Sequence, residues 1–520
     1  MELSSYRSAV ILTCLLLCCA AASYCKDEGP RKQREEPGPE AAFSQILGRP
    51  TDNSVTLSVL SAAGGGEVYA EWGAGPGSLD AKSAPAGLKP GVPAEIEING
   101  LRPDTLYYYK LVVKSPSRTS FTPEEASQFR TRRSAGSAFT FEVQGDSHPE
   151  RRGKMFSPDL YSRVLRRAAA DKPDFYIAMG DDFSIERLIE RKELTQDAVD
   201  QVYAYQRGFL GLVGRIAPLF LVNGNHEQAA RYLLDGTENS AAVLAARARN
   251  KFYPLPVPGG FYSGDLEKVP QIGLLRDYYA WTWGDALFVV IDPYWHSPEA
   301  VDNKAGERAG KGEKNGGGGK GGKKRGGKGG QIGGRASGDG DAGGGGGKGR
   351  RDPWQATLGE EQYRWLEKTL TGSKARWKFV FAHHVNGTGR GGVEAAGLYE
   401  WGGTDRNGED RFKEKRPGWA LPVQALMAKA GVTVFFQGHD HIYARQELDG
   451  VVYQSLPNPA DDTFTSFNQE AYRSGTVLPN SGYLRVSVSP AAVKVDYVRF
   501  SDELDGEVAA SYSIGGGEAK

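Results

Sequence analysis

The sequence predicts an α/β domain preceded by a smaller all-β sandwich, and two observations support this fold class. Short apolar stretches separated by Gly and Pro turns fill residues 41–133, a spacing typical of β-sandwiches. From residue 138 to residue 500, apolar strand-like runs alternate with amphipathic helical patterns, which indicates an α/β arrangement. A segment rich in Gly and Lys interrupts the second region at 304–351. We expect a disordered insertion there, because too few apolar side chains are present to offset the entropy of ordering.

Alternation of apolar and polar side chains justifies the strands of the first domain. Val55, Leu57 and Val59 alternate with polar neighbours, and so do Ile96 and Ile98. This is the period of a strand with one buried face.

Helical patterns and apolar runs justify the elements of the second domain. Within 157–171, Leu160, Val164 and Leu165 fall on one face of a helix. The apolar run at 175–179 then reads as a strand. The other elements predicted in this way are a helix at 357–370, a strand at 377–382 and a C-terminal antiparallel hairpin of strands 483–488 and 493–498.

The composition fits a soluble protein with more than one folded domain. A chain of 520 residues is longer than one ordinary core requires. Its hydrophobic fraction of 39% is a globular value, and a formal net charge of zero favours no particular class of partner. Polar residues at 23–40 predict a disordered linker, and 501–520 is expected to be a C-terminal tail.

The first 22 residues have the pattern of an export signal. Arg7 precedes an apolar run from Ala9, which ends in small residues at 20–22 and is too short to span a bilayer comfortably. All four cysteines lie within 14–25, so the remainder of the chain has none to form a disulfide. We expect a secreted, periplasmic or cell-envelope protein. A lipid anchor at Cys25 is the alternative, which the bulky preceding Tyr disfavours.

Five short signatures carry the chemistry, and each follows an apolar strand-like run. Residues just past the carboxyl ends of strands in an α/β sheet converge on one crevice, so we expect these segments to meet. They are, in chain order, Gly145-Asp146-Ser147-His148, Gly180-Asp181, Gly224-Asn225-His226-Glu227, Ala382-His383-His384 and Gly438-His439-Asp440-His441.

The residue types in these signatures are those that a pair of metal ions requires. Carboxylate, imidazole and amide oxygen ligands together suit Mn, Zn or Fe. Residues two apart near a strand end project to the same side. Asp146 with His148, and His439 with His441, can therefore each hold a common site.

The ordered set GDxH, GD, GNHE, H and GHxH resembles the motifs of the calcineurin-like metallophosphoesterases. The resemblance covers 138–500 outside the insertion and implies a two-sheet β-sandwich core flanked by helices. It also implies that His226 is unligated and faces the phosphoryl group as the catalytic histidine. The implied ligands are Asp146, His148, Asp181 and His441 for one metal ion, and Asp181 as a bridge with Asn225, His383 and His439 for the second.

The first domain carries a resemblance of its own. The stretch from Leu101 to Tyr107 resembles the tyrosine corner of fibronectin type III domains, and the whole sandwich resembles the domain that precedes purple-acid-phosphatase-like catalytic domains. The catalytic motifs depart from purple acid phosphatases proper, because Ser184 stands where those have a tyrosine and His148 is a histidine that they lack. The resemblance therefore implies no iron–tyrosinate site and leaves the metals open among Mn, Zn and Fe.

Three further residues are candidate substrate contacts. Arg390 lies in a glycine-flanked loop and is suited to binding phosphate. His384 can reach substrate from its strand end or else face the opposite side. His296 can line the mouth of the pocket or be an ordinary loop histidine. We expect Asp182 and Asp440 to support the ligands rather than bind metal.

The function that follows is hydrolysis of phosphate esters outside the cytoplasm, by hydroxide that two metal ions activate. The resemblance favours phosphomonoesters, and phosphodiesters are the alternative among enzymes. An alternative of another class is a non-catalytic surface protein that binds polyanions through the sandwich and the basic insertion. His226 argues against it, because a scaffold without activity has no need of an unligated histidine. The oligomeric state does not follow from the sequence.

Overall fold

The computed structural model describes residues 43–61, 65–114, 122–299, 352–385, 389–466 and 468–515. The predicted export signal, the linker, the four cysteines and the insertion at 304–351 lie outside these ranges. All described residues belong to one compact unit. None of the helices in the described ranges combines the length and the apolar character needed to cross a membrane.

The described residues between 43 and 130 form two β-sheets whose inner faces share one apolar core. Val55 and Leu57 are buried in it, as the alternating pattern predicts. The hydroxyl of Tyr107 accepts a hydrogen bond from the backbone N–H of Arg102 at 3.0 Å, which is the geometry of a tyrosine corner. One sheet contains β1 (Phe43–Gly48), β2 (Ser54–Ser61) and β6 (Ala94–Asn99), and the other contains β3 (Glu67–Gly73), β4 (Ala81–Lys82), β5 (Ala86–Gly87), β7 (Leu106–Lys114), β8 (Thr122–Pro123) and β9 (Ser127–Arg130).

The remaining strands build two larger sheets that face each other across an aromatic core. Phe141 of the first sheet lies 5.1 Å from Phe288 and 5.3 Å from Phe379 of the second, between ring centroids. The first sheet has the order β12 (Leu219–Leu221), β11 (Phe175–Ala178), β10 (Phe139–Gln144), β23 (Gly482–Val488), β24 (Ala492–Phe500) and β25 (Asp505–Gly515). The second has the order β13 (Ser263–Gly264), β16 (Tyr279–Trp283), β17 (Ala286–Val290), β18 (Trp377–Phe381), β19 (Val434–Gln437), β21 (Val451–Ser455), β20 (Tyr443–Leu448) and β22 (Thr476–Leu478). A separate pair of strands is formed by β14 (Lys268–Val269) and β15 (Gly273–Leu274).

Helices cover the outer face of each large sheet. Leu160 and Val164, on the predicted helix face, pack against the first sheet, and Leu366 and Leu426 pack against the second. The α/β prediction with a two-sheet core is therefore confirmed. The helices are α1 (Pro158–Asp171), α2 (Glu186–Arg191), α3 (Gln196–Gly214), α4 (Ala241–Phe252), α5 (Gly359–Gly372), α6 (Tyr399–Gly402), α7 (Phe412–Lys415) and α8 (Val423–Lys429), with 3₁₀ turns at Pro149–Arg151, Arg231–Leu233, Pro353–Gln355 and Gln469–Ala471.

Parallel pairing sets the position of the functional loops. Strands β10, β11 and β12 run parallel in the first sheet, and β17, β18, β19 and β21 run parallel in the second. The carboxyl ends of parallel strands lie along one edge of their sheet. The loops that leave them are therefore gathered together.

The structure differs from the sequence prediction at the C-terminus. Instead of a tail from 501, residues Asp505–Gly515 form β25, which pairs antiparallel with β24 at the outer edge of the first sheet. Ala510, Tyr512 and Ile514 pack partly buried against the central core. Their alternation is a strand period, although only one side of this edge strand is covered and its apolar signal is correspondingly weak.

Buried hydrogen bonds attach the small sandwich to the α/β domain. Arg207 of α3 is fully buried and donates to the carbonyl of Ser58 in β2 at 2.7 Å and to that of Phe252. The Tyr109 hydroxyl donates to the carbonyl of Arg215 at 2.7 Å. The sandwich therefore supports α3, whose Gln206 donates through Nε2 to Oγ of Ser147, in the first signature, at 2.9 Å.

Candidate metal centre

The five predicted signatures lie at strand ends of the two facing sheets. Those of the first sheet follow β10, β11 and β12, and those of the second follow β18 and β19. Because the sheets face each other, the two sets of loops meet over the same end of the core. The sequence expectation that five remote segments converge is met in the described structure.

Asp146, His148 and His441 form the first cluster of donor atoms. The Nε2 atoms of the two histidines lie 3.0 Å apart. The Oδ2 atom of Asp146 lies 3.0 Å from Nε2 of His441 and 3.7 Å from Nε2 of His148. All three side chains are buried, so their donor atoms converge on one small volume.

Asp181, His383 and His439 form the second cluster. The Nε2 atom of His383 lies 3.2 Å from Oδ2 of Asp181, and the rings of His383 and His439 are 5.2 Å apart. The clusters adjoin, because Nε2 of His383 also lies 3.7 Å from Oδ2 of Asp146 and Nε2 of His148 lies 3.6 Å from Oδ2 of Asp181. Imidazole and carboxylate donors in two adjoining clusters fit a pair of transition-metal ions.

The GNHE loop closes the centre. Asn225 is buried, and the backbone N–H of the next residue, His226, donates to Oδ1 of Asp181 at 2.8 Å. The carboxylate of Glu227 accepts hydrogen bonds from the backbone of the Asp181 loop. The loop after β12 is thereby tied to the loop after β11.

Backbone conformation directs these side chains inward. His148, Asp181, His439 and His441 all have left-handed φ values, of 50°, 56°, 66° and 52°. Asp and His are among the residues that tolerate this region best. The approach is also close at Gly438, where an added Cβ would collide with Oδ1 of Asp146.

Neighbouring acceptors fix the orientation of two of the imidazoles. Nδ1 of His148 lies 2.8 Å from Oε1 of Glu150, and Nδ1 of His383 lies 2.8 Å from the carbonyl of Met179. A ring nitrogen that donates its proton to such an oxygen leaves the other nitrogen as the ligand atom. Both histidines therefore present Nε2 to the clusters.

The electrostatics of the buried groups also suit metal binding. Burial lowers the pKa of His148 far below its usual range, and the charge of Arg151 lowers it further, so Nε2 keeps its lone pair. Burial would raise the pKa of Asp146, but the charge of His383 helps to hold it below its ordinary value. Burial lowers the pKa of His383, but the charges of Asp181 and Asp146 outweigh burial and raise this pKa to about 10. A cation is therefore favoured at Nε2, and a metal ion would replace the proton.

His226 lies beside both clusters with a carboxylate partner of its own. Its Nδ1 lies 3.2 Å from Oε2 of Glu186, and its Nε2 lies 3.8 Å from Oδ2 of Asp181. Burial lowers its pKa, but Asp181 and Glu186 outweigh burial and raise it to about 9, which favours the protonated ring at neutral pH. With Asp181 and His148, His226 also forms a third possible ligand group.

The candidate substrate contacts differ in position. Arg390 lies at the rim and donates through Nη1 to the carbonyl of His439 at 2.6 Å and to Oδ1 of Asp440 at 3.1 Å. His384 is buried, with its ring 4.8 Å from that of His439. His296 instead packs its ring beside Gly359 and 6.2 Å from Tyr278, and the structure does not bring it to the clusters.

Sequence reasoning missed four residues at this centre. Glu150 and Arg151 lie just after the first signature, Glu186 begins α2, and Tyr294 bonds through its hydroxyl to Nδ1 of His384 at 2.8 Å. In the sequence, only their closeness to His148 indicates that Glu150 and Arg151 belong to this centre. Nothing local marks the other two, because their contacts come from distant parts of the chain.

Comparison with known proteins agrees with this geometry. Residues 139–308 match the family model of calcineurin-like phosphoesterases. The fold is similar to a solved structure of PhoD, with 14% identity, a TM-score of 0.58 and coverage of 91% of this chain and 90% of that one. It is also similar to purple acid phosphatase PPD1 from yellow lupin (Lupinus luteus) seeds, with 16% identity, a TM-score of 0.54 and coverage of 91% and 74%.

No curated protein sequence matches the chain. The two solved structures establish the fold, and the family model covers the first three signatures of the metal centre. Residues 139–308 thus match a calcineurin-like phosphoesterase domain, and the chain is a metal-dependent hydrolase of phosphoric esters.

Proposed function

We propose that this protein is an exported phosphomonoesterase with a dinuclear metal centre. The observation that carries the proposal is the convergence of donors from distant loops. Asp146 and His441, separated by 295 positions in the chain, lie 3.0 Å apart, and within each cluster the ligand atoms lie within 4.8 Å of one another. The proposed ligands are Asp146, His148, Asp181 and His441 for one ion, and Asp181, Asn225, His383 and His439 for the other.

Two metal ions bound at this place would supply an activated water for attack on phosphorus and would neutralise the charge of the phosphoryl group. The chain's own residues hold and orient the ligands. Glu150 and the Met179 carbonyl fix the rings of His148 and His383. Asp181 is suited to bridging, because its Oδ2 lies within 3.6 Å of a ring nitrogen from each cluster.

His226 is the proposed proton donor. Glu186 holds its Nδ1, so that Nε2 turns towards the cluster side of Asp181. A protonated imidazole in this position can donate to a phosphoryl or leaving-group oxygen. Arg390, at the rim of the site, is the proposed phosphate contact, because its guanidinium is partly exposed and its position is fixed by Asp440.

Support for export and for the substrate class comes from outside the site. The N-terminal 22 residues have the pattern of an export signal. The two-domain layout, with a fibronectin-type-III-like sandwich at 41–133 before a catalytic domain at 138–500, resembles that of phosphatases acting on monoesters. The tyrosine corner at Tyr107 supports this assignment of the sandwich.

The proposal is tested by turnover with defined metal content. The purified protein, loaded with Mn, Zn or Fe, is assayed with p-nitrophenyl phosphate and with bis(p-nitrophenyl) phosphate, while elemental analysis counts the metal ions. We expect two ions per chain and a higher kcat/KM for the monoester. Metal-loaded protein that turns over neither ester would contradict the proposal, and a preference for the bis-ester would make the protein a phosphodiesterase.

The rival function, polyanion binding through the Gly/Lys-rich insertion, is separated from catalysis by deleting residues 304–351. The backbone N–H of Thr357 donates to Oγ of Ser297 at 3.0 Å, so a short linker can join the chain on either side. We expect the deletion to preserve turnover of the phosphomonoester. Loss of salt-sensitive retention on heparin together with absent turnover in the full chain would favour the rival.

A further inference from the structure

The guanidinium of Arg151 lies beside the proposed catalytic histidine. Its Nη2 lies 3.3 Å from Nε2 of His226. Its Nε donates to Oε1 of Glu150 at 3.3 Å, and its Nη1 contacts the sulfur of Met155 at 3.5 Å. The side chain is 31% exposed, so a ligand that enters the site can reach it.

Arg151 keeps donors available in this arrangement. A guanidinium carries five N–H groups. The contacts with Glu150 and Met155 use one on Nε and one on Nη1, and a protonated His226 offers no acceptor to Nη2. The contact with the thioether of Met155 is a weak one. Both terminal nitrogens therefore retain an N–H for a further acceptor.

The position of Arg151 relative to the donor clusters is also fixed. It follows His148 by three residues, in the 3₁₀ turn Pro149–Arg151, and the Glu150 that it contacts also holds Nδ1 of His148. Arg390 also lies near the clusters, with its Nη1 2.6 Å from the carbonyl oxygen of His439. Two guanidinium groups thus lie near the clusters, one from the loop after β10 and one from the loop after β18.

We propose that Arg151 determines specificity for phosphomonoesters by binding, together with His226, a non-bridging oxygen that only a monoester possesses. This inference rests on the proposed function and names the residue behind its substrate class. A monoester has three non-bridging oxygens that share two negative charges, whereas a diester has two that share one. In the diester, an esterified oxygen without a formal charge takes the place of the third non-bridging oxygen.

The chemistry of arginine fits this role. A planar guanidinium offers parallel donors with a permanent charge, and charge-assisted hydrogen bonds to phosphate oxygens are stronger than neutral ones. An esterified oxygen is a weaker acceptor, and its substituent would occupy the space beside the guanidinium. Arg151 should therefore stabilise a bound monoester far more than a diester.

A merely structural role for Arg151 predicts something different. If it served only to hold Glu150, and through it His148, its loss would lower the metal content. Activity towards every substrate would then fall together. The two roles are distinguished by metal content and by the ratio of monoester to diester turnover.

The test compares Arg151→Met and Arg151→Lys with wild type, and with Arg163→Met as the matched control. Arg163 lies on α1, is paired with Asp505 and is 53% exposed. Three quantities are measured on metal-loaded protein: the metal ions per chain, kcat/KM for p-nitrophenyl phosphate and its bis-ester, and the affinity for inorganic phosphate by calorimetry.

For Arg151→Met we expect two metal ions, a monoester kcat/KM lowered about 30-fold and phosphate affinity lowered about 10-fold, the scale of lost charge-assisted hydrogen bonds. The diester kcat/KM should stay within about threefold of wild type. Arg151→Lys should have a monoester kcat/KM and a phosphate affinity between those of wild type and Arg151→Met. Arg163→Met should match wild type.

Equal losses for both esters, loss of metal in Arg151→Met, or unchanged phosphate affinity would each overturn the inference. Failure of the proposed function looks different, because wild type would then hydrolyse neither ester. In that case the phosphate calorimetry still decides whether Arg151 binds the anion.

Discussion

The carboxylate of Glu227 accepts a hydrogen bond from the backbone N–H of Asp181 at 3.0 Å. The same carboxylate accepts from the amides of Asp182 at 2.8 Å, Phe183 at 3.2 Å and Gly224 at 2.6 Å. One buried side chain thus fixes the loop that carries the proposed bridging ligand. Because Asp181 has a left-handed backbone, its conformation depends on such outside support.

Replacing Glu227 with Gln should loosen this loop. An amide nitrogen in place of one carboxylate oxygen cannot accept hydrogen bonds, so at least one amide loses its partner at a cost of about 1–3 kcal/mol. We expect metal affinity to fall at least about 10-fold, measured by competition with a chelator. Glu503→Gln, at an exposed position, is the control, and equal retention of metal by both variants would show that Glu227 does not position Asp181.

Asp181→Ala should abolish the dinuclear centre, because its carboxylate lies within reach of donors from both clusters. We expect elemental analysis to give two metal ions per chain for wild type and fewer than one for the variant, with turnover lost in parallel. Asp462→Ala, at an exposed position, should keep both ions. Full occupancy in Asp181→Ala would remove the assignment of the bridge.

His226→Gln should lower kcat about 100-fold, the scale of one proton-transfer catalyst, with metal content unchanged. Steady-state kinetics per metal-loaded site measure the first effect, and elemental analysis measures the second. Glu186→Gln should shift the pH dependence of kcat, because Glu186 helps to raise the pKa of His226. Loss of a metal ion in His226→Gln would instead make His226 a ligand, as one of the three donor groups allows.

Glu142 should make stability fall as pH rises. Burial and nearby Asp171 raise its pKa well above the ordinary 4.5, so the folded protein holds a proton that the unfolded chain releases above about 4.5. The contribution of Glu142 to the free energy of unfolding is therefore complete below that pH. It declines as pH rises towards the pKa that Glu142 has in the folded protein. The free energy of unfolding is measured with urea for wild type and Glu142→Gln between about pH 5 and 8, a range around neutrality. We expect the variant to become more stable relative to wild type as pH rises. A difference between the two proteins that does not change with pH would contradict this.

Arg207→Met should weaken the attachment between the sandwich and the α/β domain. The substitution keeps the apolar stem but leaves the buried carbonyls of Ser58 and Phe252 without their donor. We expect a loss of about 3 kcal/mol in the free energy of unfolding, measured with urea. Arg163→Met serves again as the exposed control, and equal stabilities would show that the interface does not depend on this hydrogen bonding.

Much of the fold was predictable because its signals are local. The apolar run at 175–179 became β11 within one residue at each end. The helix predicted at 157–171 begins one residue later, at Pro158, because Ser157 is its N-cap and accepts from the N–H of Leu160. The predicted hairpin pairs Val488 with Val493.

The convergence of the signature loops was predictable for a related reason. The seven proposed ligands lie in short strings directly after strands, so strand direction suffices to bring their loops together, whereas their assignment as ligands follows from the family resemblance. The residues that orient them were not predictable in this way. Glu186 meets His226 across 40 positions, and Tyr294 meets His384 across 90, so neither contact leaves a local pattern.

Four of the seven proposed ligands, namely His148, Asp181, His439 and His441, occupy left-handed backbone. In this region a β-branched side chain is strained whatever its chemistry. Replacing one of these ligands with Thr or Val would thus distort the turn in addition to removing the donor atom. The set of side chains compatible with this centre is therefore restricted first by the peptide backbone and only then by the preferences of the metal.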